Sequence, residues 1–482
     1  MADDDLCLRP AVELAALLRT GELSARELLA ACLARVAELD PLLNAVVTLD
    51  AERAEQRARE LDDALLRSGP VGPLHGLPCA HKDALPTAGL RTTWGSRLYA
   101  DHVPAADAVL AARVRAAGGV RLGKTNVPEF ACGSQTTNPV FGATRNPWDP
   151  ARTAGGSSGG AAVALATGMT ALADGSDMGG SLRNPASFCG VVGLRPTPGR
   201  VPALPARDAF LDLSVAGPLG RTVADTALLL SAVAGPDLRD PLALPEPGSV
   251  FAGPLDRDVR GVRVAWGGAL GLPYEPAVLE AFAAAWPAVE SLGVRLVDAE
   301  PDVRGADEVF RVLRGWHLAT TLGPEVERAG DAVGPLVREN VAYGRTVTAE
   351  QLARAFQRRT ALVAAAADFL REHEFLLLPV SQVLPFDVDV LWPREVGGEV
   401  QPDYLGWMRS SYLVSVLRVP AASVPAGTVD GLPVGVQVVG RPGDDLGVLQ
   451  LAAALEGVFG RQSPDLDRLR ALSPAHPGPA PA

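Results

Sequence analysis

Two glycine-rich strings in this chain carry side chains that could do chemistry, and a third segment joins them. Gly118-Gly119-Val120-Arg121-Leu122-Gly123-Lys124-Thr125 fits the phosphate-cradling string G-x-x-x-x-G-K-[ST]. Such a cradle needs a strand before the loop and a helix opening at the lysine. Here a helical stretch comes first, Val120 to Leu122 reads as a strand inside the would-be loop, and Pro128 follows closely. Nucleotide binding is therefore not expected. Gly155-Gly156-Ser157-Ser158-Gly159 fits the nucleophile elbow G-x-S-x-G, which needs an acid and then a histidine later in the chain. Of the later histidines, His476 falls in the terminal Pro/Ala/Gly stretch, and His317 and His373 lie in helical, charged surroundings that suit surface or packing roles. Three segments say more together: Gly76-Leu77-Pro78-Cys79-Ala80-His81-Lys82-Asp83, Gly155 to Gly160, and Asp177-Met178-Gly179-Gly180-Ser181-Leu182-Arg183, the last running on to Thr197. They bring one lysine and two serines into glycine-rich turns.

The elements that must hold these residues alternate in type. Ser24-Ala25-Arg26-Glu27 is a capping box, and Leu28, Leu29, Cys32, Val36 and Leu39 follow at helical spacing until Pro41. Asp50 to Arg67 reads as a second, heavily charged helix. From Gly72 onward, short apolar runs alternate with Ala-rich helices such as Asp107 to Ala117, which is the α/β pattern. Pro236 to Pro254 reads as a loop, Val262 to Trp266 as a strand and Pro276 to Leu292 as a helix. Phe375 to Pro379 and Val434 to Val439 read as buried strands, and the segment Leu77 to Ala80 suits a strand carrying Lys82 into an apolar interior. Alternation then points His81 and Asp83 to the opposite face.

Composition narrows the function classes. The chain has 482 residues, 48% hydrophobic and 21% charged, ample for a large core. A net charge of −12 argues against non-specific nucleic-acid binding, since no positive field is available to displace counterions. The start Met1-Ala2-Asp3-Asp4-Asp5 lacks a basic, apolar leader, and the best apolar run, Ala161 to Ala173, is too short for a membrane span. Five scattered cysteines without a C-x-x-C pair suggest reduced thiols in a cytoplasmic protein, with neither a disulfide framework nor a zinc ribbon.

On the three segments, with Lys124-Thr125-Asn126 and Asn138-Pro139-Val140-Phe141-Gly142 beside them, the sequence strongly resembles the amidase signature family over about Leu6 to Phe459. The resemblance implies a Ser-Ser-Lys triad with Ser181 as nucleophile, Ser157 as bridging hydroxyl following a cis peptide, and Lys82 as base. Serine attacks an amide carbonyl poorly unless a base takes its proton, and lysine is a base only when neutral. Its pKa must then fall from about 10.4 toward 7–8, a differential of roughly 3–5 kcal/mol that burial can supply. Asp83 should not pair with Lys82, because a carboxylate partner would keep the ammonium charged. Backbone amides of Met178, Gly179, Gly180 and Ser181 are the expected oxyanion donors, and Ala131, Cys132 and Gly133 the expected cleft-lining loop. Asp177 and Arg183 are expected to form a structural ion pair. No metal or organic cofactor is required.

The fold implied is α/β, a large mixed twisted β-sheet sandwiched between α-helices (α/β/α). Residues 1–70 form an N-terminal helical segment packed on the core, 71–472 complete a single compact domain with it, and 473–482 form a flexible tail. The partner implied is a small-molecule amide, with neither nucleic acid nor membrane, and a homodimer is compatible. Trp316, Tyr343, Phe386, Trp392, Tyr404 and Trp407 fall in a stretch where relatives diverge, and could wall an apolar cleft with the loop Trp392 to Glu395 over it. An uncharged or aromatic amide is favoured, extending to anilides, carbamates or oligoamides. Two other readings stand beside a stand-alone amide hydrolase. One is the glutamine-hydrolysing component of a tRNA-dependent amidotransferase, against which Ser176 and Met178 depart from that component's Thr-rich form. The other is a non-catalytic binding protein on the same fold, for which an intact Lys82, Ser157 and Ser181 would be superfluous.

Overall fold

The structure, a computed structural model, describes residues 5–474. Eleven strands form one sheet: β1 (Val46–Leu49), β2 (Pro78–Lys82), β3 (Val120–Thr125), β4 (Leu172–Asp177), β5 (Val192–Arg195), β6 (Val215–Gly220), β7 (Arg263–Trp266), β8 (Arg295–Asp298), β9 (Phe375–Pro379), β10 (Ala421–Val429) and β11 (Leu432–Val439). Their spatial order is β1-β3-β2-β4-β6-β5-β10-β11-β9-β7-β8. The sheet is mixed: β2 runs parallel to β3 and β4, β7 parallel to β8 and β9, and the centre from β4 to β11 is antiparallel.

Strand periodicity shows why helices must cover both faces. Along β9, Phe375 and Leu377 enter one buried cluster, whereas Leu376 and Leu378 enter a second. A strand apolar at every position cannot leave either face in water. The first cluster is filled by α1 (Ala11–Thr20), α2 (Ala25–Leu43), α3 (Ala51–Ser68), α4 (Val109–Ala116), α5 (Gly159–Ala166), part of α6 (Arg183–Cys189) and α7 (Val223–Val233). Helices α8 (Pro276–Ala284) and α9 (Trp286–Glu290) add Phe282 and Val289 to it. The second cluster takes Phe310 and Leu313 from α10 (Ala306–Ala329), partly buried Leu336 from α11 (Pro335–Thr346), Leu362 from α12 (Ala349–Glu372) and Leu413 from α13 (Arg409–Val416). Helix α14 (Asp445–Phe459) returns to the first face with Leu449 and Leu451.

Local signals explain most element ends and some departures. The capping box at Ser24 forms, with Ser24 Oγ accepting from the Glu27 amide at 3.1 Å and Glu27 Oε2 accepting from the Ser24 amide at 2.9 Å. Pro41 does not stop α2, which runs to Leu43 and closes on Asn44 in the left-handed region, because a proline in the last turn sacrifices only one amide bond. The expected helix from Pro276 to Leu292 is two, broken at Ala285 where Pro287 starts the next. The first 70 residues are not all helical: β1 pairs antiparallel with β3 as the sheet's edge. No helix among the described residues is long and apolar enough to cross a membrane, and Ala161 to Ala173 is split between α5 and β4. All five cysteines are free and buried. Of the terminal tail expected at 473–482, residues 475–482 lie outside the described ones.

Candidate active site

Lys82 is the last residue of β2 and sits 1% exposed. Its Nζ meets three hydroxyls, Ser157 Oγ at 2.7 Å, Ser158 Oγ at 2.9 Å and Ser176 Oγ at 3.0 Å. Burial lowers its pKa from 10.5 to about 7, opposed by the charges of Asp177 and Asp174. The amine is thus surrounded by neutral acceptors, and no carboxylate among the described residues touches it. Asp83 turns away, accepting from the Thr93 amide at 3.1 Å. His81 points to Asp174, with Nδ1 2.5 Å from Oδ2, while Asp174 Oδ1 accepts from the Lys82 amide at 2.9 Å.

Ser157 follows the cis Gly156–Ser157 peptide, and Ser158 stands at the N-cap position of α5 with its hydroxyl turned to Lys82 instead of the helix amides. The chain then enters β4 and turns sharply from Asp177 to Ser181. Asp177 holds this turn: Oδ1 accepts from the Gly180 amide at 2.8 Å and Oδ2 from the Leu182 amide at 3.2 Å. Arg183 pairs with both carboxylate oxygens, at 2.9 and 3.0 Å, and Arg195 lies 3.5 Å from Oδ1. Burial alone would raise the Asp177 pKa, but the two guanidinium groups and the Gly180 amide hold it far below the usual carboxylate range. The expected Asp177–Arg183 pair is present and extends further, since Arg183 Nη1 also donates to Ser411 O at 2.9 Å and Gln437 Oε1 at 2.5 Å. Gly180 adopts φ +111°, and a Cβ there would fall 2.5 Å from Ser411 Cβ.

These bonds bear on the expected oxyanion donors Met178, Gly179, Gly180 and Ser181. The Gly180 amide is spent on Asp177, while no hydrogen bond within the described residues occupies the amides of Gly179 and Ser181. Ser181, 8% exposed, and Ser157 open onto one cavity of about 200 Å³, walled also by Ala131, Cys132, Gly133, Met178 and Gly179. All three residues of the loop expected to line a cleft thus stand in the wall of this cavity. A larger, mostly apolar cavity of about 520 Å³ adjoins it and shares Phe130, Ser176, Met178 and His317.

Sequence reasoning missed several wall residues. Ser158 and Ser176 contact the amine, and a period-2 reading of β4 would have placed Ser176 on the face of Asp174, next to β2. His317, expected in a surface or packing role, is half-buried: it lines both cavities, its buried Nδ1 has no partner among the described residues, and burial lowers its pKa. Of the six divergent-region aromatics only Tyr404 reaches the smaller cavity. Trp407 is fully buried against Phe188 and donates to Ser134 Oγ at 2.9 Å, and Trp392 lines neither cavity. The phosphate-loop string is a helix end and a strand. Its Gly123 is required because a Cβ would lie 2.2 Å from the Thr48 carbonyl on β1, and its Lys124 is buried against Thr87.

The sequence profile described as Amidase matches residues 27–449. The chain belongs to the amidase family. This amidase is 36% identical to an acylamidase of Rhodococcus erythropolis, over 95% of this chain and 97% of that one. It is 34% identical to a glutamyl-tRNA(Gln) amidotransferase component of Chloroflexus aggregans, over 94% and 97%. Its structure matches that of a bacterial aryl acylamidase of the amidase signature enzymes with TM-score 0.89 and 26% identity, covering 98% and 99% of the two chains. The amidase is an amide-hydrolysing enzyme on the α/β amidase signature fold.

Proposed function

We propose that this amidase is a stand-alone hydrolase that cleaves its amide through an acyl-enzyme on Ser181, with Ser157 passing the proton to Lys82. The single observation that carries this reading is the buried Lys82 amine 2.7 Å from the Ser157 hydroxyl, in the wall of the cavity that Ser181 enters. An ammonium donates three hydrogen bonds, whereas a neutral amine donates two and offers one lone pair. Ser158 Oγ directs its own proton to the Ser176 carbonyl at 3.4 Å and so receives from Nζ. Ser157, the shortest contact, then supplies the proton that the lone pair accepts. Taking that proton leaves Ser157 able to draw one from Ser181, whose oxygen attacks the carbonyl. The developing oxyanion meets the Gly179 and Ser181 amides, worth ~3–4 kcal/mol for a donor in such a site. The proton returns to the leaving amine, and water clears the acyl group.

The acylamidase relative supports a linear carboxylic amide as substrate, and the apolar 520 Å³ cavity suits an aryl or alkyl group on one side of it. The described walls of the smaller cavity carry no Asp or Glu to meet the α-ammonium of glutamine, and of the two acids in the adjoining cavity, Asp208 and Glu325, the latter is paired with Arg207. Ser181→Ala should lose both amide turnover and labelling by a fluorophosphonate probe, and retention of either would overturn the nucleophile assignment. Ammonia release from glutamine by the protein alone, measured beside an anilide panel, separates the two activities.

A further inference from the structure

Among the described residues, Arg314 is the one fully charged cation in the wall of the Ser181 cavity, and its partners are all neutral. It rises from α10 and is 7% exposed. Nη1 donates to Asn340 Oδ1, and Nη2 donates to the Tyr404 hydroxyl and to Cys132 Sγ at 3.4 Å, with the Tyr404 ring 5.5 Å away. No carboxylate forms an ion pair with it among the described residues, and none of theirs lines the cavity. The neighbouring cavity behaves differently, since its Arg207 is paired with Glu325 at 2.8 Å. Buried charges are ordinarily paired, because an unpaired one forfeits hydration without a Coulombic return. The Tyr404, Asn340 and Cys132 contacts fix the guanidinium in place and leave its charge unneutralised.

The geometry points to Arg314 as the receptor for a carboxylate on the substrate. The substrate class is then an amide bearing a carboxylate on one side of the scissile bond and an apolar group on the other. The carboxylate enters the 200 Å³ cavity toward Arg314, and the apolar group occupies the 520 Å³ cavity. This inference rests on the proposed Ser181 chemistry and adds what that chemistry selects. Arg314 acts by contact with the substrate and takes no part in proton transfer.

The test uses neutral isosteres of a carboxylate. On the acyl side, glutaric acid mono-4-nitroanilide is compared with 5-oxohexanoic 4-nitroanilide, in which a methyl ketone replaces the acid. On the amine side, N-butyryl-4-aminobenzoate is compared with N-butyryl-4-aminoacetophenone. The acidic member of at least one pair should show kcat/KM about 10- to 100-fold higher, the range of one charge-assisted hydrogen bond, with the difference mainly in KM. Arg314→Met should collapse that ratio toward one, and Arg314→Lys should restore part of it. Free glutarate should inhibit the wild-type enzyme competitively and heptane-2,6-dione should not, which tests the idea without a variant. Turnover of the neutral members with no acidic preference in either pair overturns the inference and leaves the hydrolase intact. Absence of turnover with every amide, together with no fluorophosphonate labelling, overturns the Ser181 reading and this inference with it.

Discussion

Replacing Lys82 by methionine isolates what its burial costs the fold. Moving an amine from 10.5 to about 7 penalises the ammonium by ~5 kcal/mol relative to water. Because the folded-state value lies below the unfolded one, the unfolded chain holds the additional proton between about pH 7 and pH 10.5. Stability therefore rises with pH through that window, and the full penalty applies below it. Lys82→Met removes the penalty and also forfeits three hydrogen bonds to hydroxyls, at ~1 kcal/mol each. The variant should gain ~1–2 kcal/mol over wild type at neutral pH. Toward pH 10 the order should reverse, the difference changing by ~1.4 kcal/mol per pH unit. Urea unfolding midpoints at a series of pH values read this difference. In the wild type, fluorophosphonate labelling of Ser181 should fall tenfold per pH unit below about 7, as the base acquires its proton. A stability difference that stays flat across the window, or a labelling rate insensitive to pH there, would refute the argument.

Other outcomes follow from named contacts. Asp177→Asn leaves Arg183 and Arg195 buried without their anion, so urea unfolding should show a loss of ~3–5 kcal/mol. Gly180→Ala places a methyl against Ser411 at a positive φ; amide turnover should drop at least tenfold, with a stability loss of ~1–3 kcal/mol. Ser24→Ala breaks the cap of α2 far from the cavities and should cost ~1 kcal/mol in unfolding while leaving kcat/KM unchanged.

The strings proposed to carry the chemistry stood out in the sequence because their residue types cluster locally. Lys82, the paired serines and the glycine turn each sit within a few residues whose types permit little else, and β9 was read to the residue because every side chain from Phe375 to Pro379 is buried. The cavity wall was not legible. Arg314 and His317 occupy a helix whose charged flanks look solvated, and only the packing of α10 over the Ser181 turn turns that face inward. Among the divergent-region aromatics only Tyr404 lines the smaller cavity, for the same reason: an aromatic fills a core or a cleft equally well by type, and Trp407 went to the core against Phe188. Edge strand β1 was hidden between two helices because four residues leave no periodicity to detect.

The clamp on Asp177 also governs when an enzyme of this design first becomes competent. Its threads reach Ser411 and Gln437, so the turn bearing Ser181 is complete only after nearly the whole polypeptide has been synthesised. A ribosome-bound nascent chain already displays Lys82 and both serines yet lacks Ser411 and Gln437, which hold Arg183 against the Asp177 turn. Premature stops and abandoned translation products should therefore be inert toward cellular amides.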